Sequence, residues 1–255
     1  MRPDFRRNRM SYSPALRNRQ RKLAALAGGT GTPKVRAVEP DPGSAAGQEY
    51  AVLRAVLHDN LRKLQDVESH EARIPMKREF LQEFRAWVIG VIDADRPVQD
   101  EIVMTCLVWL IDCEAFEDAL VVGRFALKHG LALPERYNRT TACFLREEIA
   151  EAALKSPAAV PHEILVEIDQ LTAEADMPDQ AKAKLDKALG RSWIARAADF
   201  DPSDETGPAG GATAFASQGL THLQRALKLN AKVGVKKDIE RADKMLRDLA
   251  PKGDE

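Results

Sequence analysis

From Ala45 to Leu249 apolar residues return at every third or fourth position, and nowhere does the chain alternate apolar and polar residues with a period of two. The first spacing lays a stripe along one side of a helix, and the lack of the second removes the signature of a half-buried strand. Such a chain buries its apolar side by packing helix on helix. The pattern therefore predicts an all-α fold, a stack of helical hairpins. Composition supports helix where a short apolar run is ambiguous: aromatics are 5% of the 255 residues, while Ala, Leu, Glu, Lys and Arg dominate.

The clearest single run is Tyr50, Leu53, Leu57, Asn60, Leu64 and Val67, whose 3-4-3-4-3 spacing is the seam of a coiled coil or a tightly packed hairpin. These six residues are the candidate oligomer interface. A polar residue on a seam can fix register or oligomer state, although an Asn at the rim is the commoner arrangement. After a polar break from Ser69 to Pro75, a second helix is expected from Met76 to Ala94, with Phe80, Phe84, Trp87, Val88, Val91 and Ile92 as its apolar face. Arg96-Pro97 should end it, because proline disfavours helix in the residue before it. Residues 49–96 thus read as a long hairpin and possible oligomerisation element, and 97–198 as a helical body. Its helices are expected at Val98 to Asp112, Phe116 to His129, Thr140 to Lys155, His162 to Glu174 and Pro178 to Ala197.

Residues 199–212, with Pro202, Pro208 and three glycines, read as a long surface loop. Residues 213–255 read as a C-terminal hairpin of Phe215 to Leu229 and Lys232 to Leu249. A weak repeat underlies this plan. Leu189-Gly190-x-x-Trp193 has the first-helix pattern of a tetratricopeptide unit; Phe116, Ala119, Leu120, Ala126 and Leu127 have the second-helix spacing, and Gly219, Leu220, Ala226 and Leu227 repeat it. Small residues at such positions are what any close helix pair requires, so a generic hairpin and a partly tetratricopeptide-like one both stay open.

Formal net charge is −1 overall, which conceals a strong segregation. Residues 1–36 carry ten basic side chains against Asp4 alone, a net charge of +9, whereas Asp93 to Asp118 hold eight carboxylates and only Arg96. The composition of 1–48 cannot pack a core, so it is expected to be a flexible, disordered arm with a short helix around Ala15 to Leu26. Arg6, Arg7, Arg9, Arg17, Arg19, Arg21 and Lys22, interleaved with Phe5 and Tyr12, are the candidate DNA-binding residues, since guanidinium and ammonium groups neutralise phosphates and release counterions. A solvated tail accounts for the same composition equally well. A second basic surface could lie on the last helix, where Lys232, Lys236, Lys237, Arg241, Lys244 and Arg247 face Asp238, Glu240, Asp243 and Asp248; such a face is more often simply solvated.

Motifs for catalysis are largely missing. There is no GxxxxGK[ST] loop, and Gly28 to Thr32, lacking the lysine, reads as a hinge. The five histidines have no metal-ligand spacing, so no metal or other cofactor is expected. Asp93, Asp95, Asp100 and Glu101 could suggest a metal-dependent endonuclease, but they straddle the break at Arg96-Pro97, and first-turn acids suit the dipole of the next helix without any metal. Cys106, Cys113 and Cys143 form no CxxC pair and read as free core thiols of a reducing compartment. No apolar run reaches the length of a membrane span, and a soluble cytoplasmic protein is expected.

Several blocks are more specific than these patterns. Gln99-Asp100-Glu101-Ile102-Val103-Met104-Thr105, Phe125-Ala126-Leu127-Lys128-His129-Gly130-Leu131, Leu171-Thr172-Ala173-Glu174-Ala175-Asp176-Met177-Pro178-Asp179, His222-Leu223-Gln224-Arg225-Ala226 and Gly234-Val235-Lys236-Lys237-Asp238-Ile239-Glu240-Arg241 resemble the gpM-type small terminase subunits of temperate, contractile-tailed double-stranded-DNA phages. The resemblance runs in order from about Tyr50 to Leu249. It implies a subunit that selects viral DNA at its cohesive-end site and directs cleavage and packaging into the prohead by a large subunit holding ATPase and nuclease, working in the host cytoplasm as a homo-oligomer, typically a ring. It supplies no catalytic motif that maps onto this sequence. Residues 199–212 look inserted relative to the family, and the chain lacks the strongly basic C-terminal tail of some relatives, which leaves the expected DNA contacts more dependent on the N-terminal arm. A tetratricopeptide-like interaction scaffold and a metal-dependent endonuclease are the competing readings.

Overall fold

The computed structural model describes Ala15 and residues 18–22, 41–201 and 210–250. Those residues form helices without a strand: α1 (Ala45–Gln65), α2 (His70–Ala94), α3 (Glu101–Asp112), α4 (Phe116–Lys128), α5 (Thr141–Lys155), α6 (His162–Leu171), α7 (Asp179–Ala198), α8 (Gly211–Leu229) and α9 (Lys236–Leu249). The all-α expectation holds. The chain divides into two compact units, Met1–Thr141 and Ala142–Glu255.

In the first unit α3 is the centre. Every residue from Ile102 to Ile111 is buried, as its near-continuous apolar sequence requires, and α1, α2 and α4 pack around it. Its start is fixed by Asp100, which is fully buried: Oδ1 accepts from the N–H groups of Ile102 (2.8 Å) and Val103 (3.0 Å), and Oδ2 from Trp87 Nε1 (2.6 Å). One carboxylate thus caps α3 and ties it to α2. Two tight turns close the ends of α3 and α4. Ala115 N–H reaches Leu110 O (2.8 Å) with Glu114 at φ 59°, and Leu131 N–H reaches Ala126 O (2.9 Å) with Gly130 at φ 63°. Both are Schellman-type caps, in which a left-handed residue lets the chain reverse and satisfies the last carbonyls.

The second helix starts at His70, earlier than the expected Met76. Ser69 caps it, its side chain accepting from Ala72 N–H (3.3 Å), and Pro75 lies within it. A proline this near the N-terminus removes only one helical hydrogen bond, and Pro75 is exposed.

In the second unit α7 and α8 make the closest pair. A methyl added to Gly190 would lie 2.6 Å from Leu223 Cγ and 3.0 Å from Gly219 O; one added to Gly219 would lie 2.8 Å from Ile194 and 3.0 Å from Gly190 O. The two glycines therefore face each other where the helices cross, as the small-residue pattern of the repeat implied. Ile194, Ala197, Ala216, Leu223, Ala226, Val235 and Ala242 form the core beside this crossing. The last helix begins at Lys236 and not at Lys232, because residues 230–235 make a turn in which Gly234 has φ 75° and Lys232 N–H donates to Asn230 Oδ1 (3.0 Å). At the start of this unit Arg146, 2% exposed, donates to Thr172 Oγ1 (2.8 Å) and Asp169 Oδ1 (2.7 Å), joining α5 to the end of α6.

Candidate nucleic-acid interface

Arg6, Arg7, Arg9 and Arg17 of the arm lie outside the described residues, and so do Gly28 to Thr32. Arg19, Arg21 and Lys22 sit on the helical stretch 18–22, all three exposed, while Gln20 between them is buried. Arg19 Nη2 is 3.7 Å from Glu49 Oε2 of α1, and its side chain is 67% exposed, so most of its charge faces solvent. A single loose pair of this kind contributes little stability and leaves the guanidinium able to meet another anion.

The seam of α1 faces inward within the single chain. Tyr50, Leu53, Leu57, Asn60 and Leu64 are buried, and Val67 is half-buried. Tyr50 stacks on Trp87 with centroids 5.9 Å apart, and its hydroxyl accepts from Glu101 N–H (3.1 Å). Asn60 is 1% exposed and its Nδ2 donates to Glu83 Oε2 of α2 (2.9 Å), so it occupies the seam and not the commoner rim position. Outside the seam on α1, Val52 and Val56 are exposed.

Three of the four carboxylates of the endonuclease reading have separate partners. Asp100 is the buried cap of α3. Asp95, at φ 49° beyond the end of α2, pairs with Lys128 and with His129 Nε2 (2.9 Å), and the hydrogen bond from Lys128 holds its carboxyl below the usual range. Glu101 meets His58 Nε2 at 3.0 Å, and Asp93 is exposed. Among the described residues no three His, Cys, Asp or Glu side chains converge as a metal site would need. His162 bonds Ser192 Oγ (2.9 Å), and His222 bonds Asp186 Oδ1 (2.9 Å). The three cysteines are buried and unbonded to one another.

Cations are concentrated once more at the turn between α8 and α9. Lys228, Lys232, Lys236 and Lys237 are exposed there, and Lys187 Nζ of α7 donates to Val233 O (2.8 Å). Three of these lysines belong to the larger mixed face expected from the sequence. Lys187 carries no such signal, since its approach depends on the α7–α8 crossing. No described helix is long and apolar enough to cross a membrane.

Helices locked by buried caps, with positive charge gathered on small exposed elements, define the class: an all-helical protein that presents basic side chains to solvent. The sequence profile of the phage small terminase subunit family matches residues 54–180, from α1 to the first turn of α7. The chain is 37% identical over 206 residues to the "Terminase, endonuclease subunit" of Escherichia phage P2, covering 80% of this chain and 75% of that protein. It is 24% identical over 213 residues to the "Probable terminase, endonuclease subunit" of Haemophilus phage HP1, covering 82% and 74%. No solved structure matches it. The chain belongs to the phage small terminase subunit family.

Proposed function

We propose that this chain binds viral duplex DNA at the cohesive-end site, in the host cytoplasm, and delivers it to the large terminase subunit for cleavage and packaging into the prohead. The observation that carries the reading is the extended match to the phage P2 terminase subunit, together with a +9 charge on residues 1–36 that no helical core requires. Arg6, Arg7, Arg9, Arg17, Arg19, Arg21 and Lys22 supply phosphate contacts, which position the protein on DNA without reading bases. Both relatives are named as endonuclease subunits, and we assign the chain the role of directing the cut while the large subunit supplies the hydrolytic centre. The dispersal of Asp95, Asp100 and Glu101 over separate partners, with Asp93 exposed, supports that division. Self-association is part of the proposal and is assigned to the α1–α2 hairpin. With the seam turned inward, Val52 and Val56 are the apolar side chains left outside it.

Deleting residues 1–36 tests the reading. The truncated chain should keep its thermal midpoint and bind cohesive-end duplex far more weakly. The slope of log affinity against log salt should fall by about 0.9 for each phosphate that the arm had neutralised. Equal affinity and slope with and without the arm would move DNA recognition elsewhere, and cutting by the purified full chain with a divalent metal alone would place the chemistry here.

A further inference from the structure

Between Arg225 and Lys237 the sequence has five cations and no carboxylate. Arg225 Nε lies 3.5 Å from the buried Asp186 and is partly neutralised by it. Lys228, Lys232, Lys236 and Lys237 are exposed, and among the described residues no carboxylate pairs with them. The nearest acid along α9, Asp238, is held by Arg191 Nη2 at 2.9 Å.

The backbone beneath these lysines is fixed. Asn230 N–H donates to Ala226 O (2.9 Å), Val233 N–H to Asn230 O (3.0 Å) and Ile239 N–H to Val235 O (2.9 Å), while Val235 is fully buried. Lys187, anchored on Val233 O, adds its amino group to the same end of the hairpin. This is an ordered presentation of one sign of charge, unlike a mixed face of interspersed Lys and Asp.

Two of the lysines also break a local rule. Lys236 and Lys237 open α9, where the helix macrodipole is already positive, and the capping residue Val235 offers no side-chain acceptor. At this helix end their charge is unfavourable and, among the described residues, no carboxylate pairs with either of them, and such violations are expected where an external partner supplies the compensation. One phosphate or carboxylate would engage one or two amino groups. Several on one end of a hairpin suit the repeated phosphates of a nucleic-acid backbone, for which lysine serves as a flexible point charge.

We propose that the α8–α9 turn, through Lys228, Lys232, Lys236 and Lys237, is a second site for the backbone of duplex DNA, acting in addition to the N-terminal arm and independently of base sequence. This rests on the DNA-binding reading above.

The test is a salt titration of full-length K228Q/K232Q/K236Q/K237Q against the unaltered chain on cohesive-end and unrelated duplexes. The variant should bind both at least about tenfold more weakly near physiological salt, with a slope lower by about 0.9 for each phosphate no longer neutralised, on the order of three in all. Its thermal midpoint should stay level or rise, since unpaired like charge is removed. The companion K228R/K232R/K236R/K237R should keep affinity and slope, whether or not the glutamine variant folds. Unchanged affinity and slope in the glutamine variant would overturn this surface alone and leave the arm standing. A full chain that binds no duplex would overturn both readings, and loss of an acidic protein partner with DNA binding intact would overturn this one.

Discussion

Asp100 concentrates in one side chain much of what holds the first unit together. It accepts three hydrogen bonds in a site sealed from solvent, and burial, outweighing those bonds, pushes its pKa up from 3.8 to about 6. An acid whose folded-state pKa is raised takes up a proton more readily in the native chain than in the unfolded one. Its contribution to stability is therefore greatest below pH 3.8, declines as pH rises to about 6 and is constant above. Asp100→Asn should remove that segment from the difference between the two stability–pH profiles. The single amide oxygen of Asn cannot serve both the α3 N–H groups and Trp87 Nε1, so one donor is left unmet, at a cost of about 1–3 kcal/mol. The deficit of the variant should accordingly be larger at pH 4 than at pH 7, measured by denaturant unfolding. A deficit that grows with pH would show that the buried carboxylate is not what titrates. The sequence shows that Asp100 favours the start of a helix; its burial is not legible there, because Trp87 comes from a different helix.

At the level of helices, spacing locates nearly every element, and the failures have local causes. The run from Tyr50 to Val67 is readable as a seam, but periodicity names a face without naming what covers it. The chain's own α2 and α3 do so, through Trp87, Glu83 and Glu101. Leu57→Lys should therefore unfold the first unit by leaving a charge in its core, whereas V52K/V56K should keep the fold and lower the mass of the assembly. Circular dichroism with light scattering separates these results; a folded, unaltered assembly in V52K/V56K would exclude the outer face of α1. The expected start of the last helix at Lys232 fails because Lys, Ala and Val keep helical propensity while Gly234 turns the backbone. The resembling blocks themselves fall largely on caps and turns: Asp100, Gly130, Thr172 and Gly234 each end or begin a helix. Their specificity in sequence comes in part from chain reversal, which tolerates few residue types.

Over the whole molecule, the fold and family are legible because both depend on patterns repeated along the chain, such as the 3.6-residue stripe and the ordered blocks. The proposed binding surfaces are only partly so. Arg6 to Lys22 announce themselves by density of charge, whereas Lys228, Lys232, Lys236 and Lys237 are spread over ten residues and run directly into Asp238, Glu240 and Asp243, so that in sequence they merge with a mixed amphipathic face. The buried thiols have a further use. Cys106 and Cys113 belong to the first compact unit and Cys143 to the second, and burial raises the pKa of both Cys106 and Cys113, so a native thiol there is neither reachable nor ionised at neutral pH. Alkylation should then wait for each unit to open, and mass spectrometry of the labelled peptides would time the two openings separately in the same sample. Prompt, complete modification of Cys106 in the folded chain would contradict this. With duplex DNA added, whichever cysteine slows would report which unit the proposed DNA binding holds closed, so that three inert sulfurs act as internal clocks for that proposal.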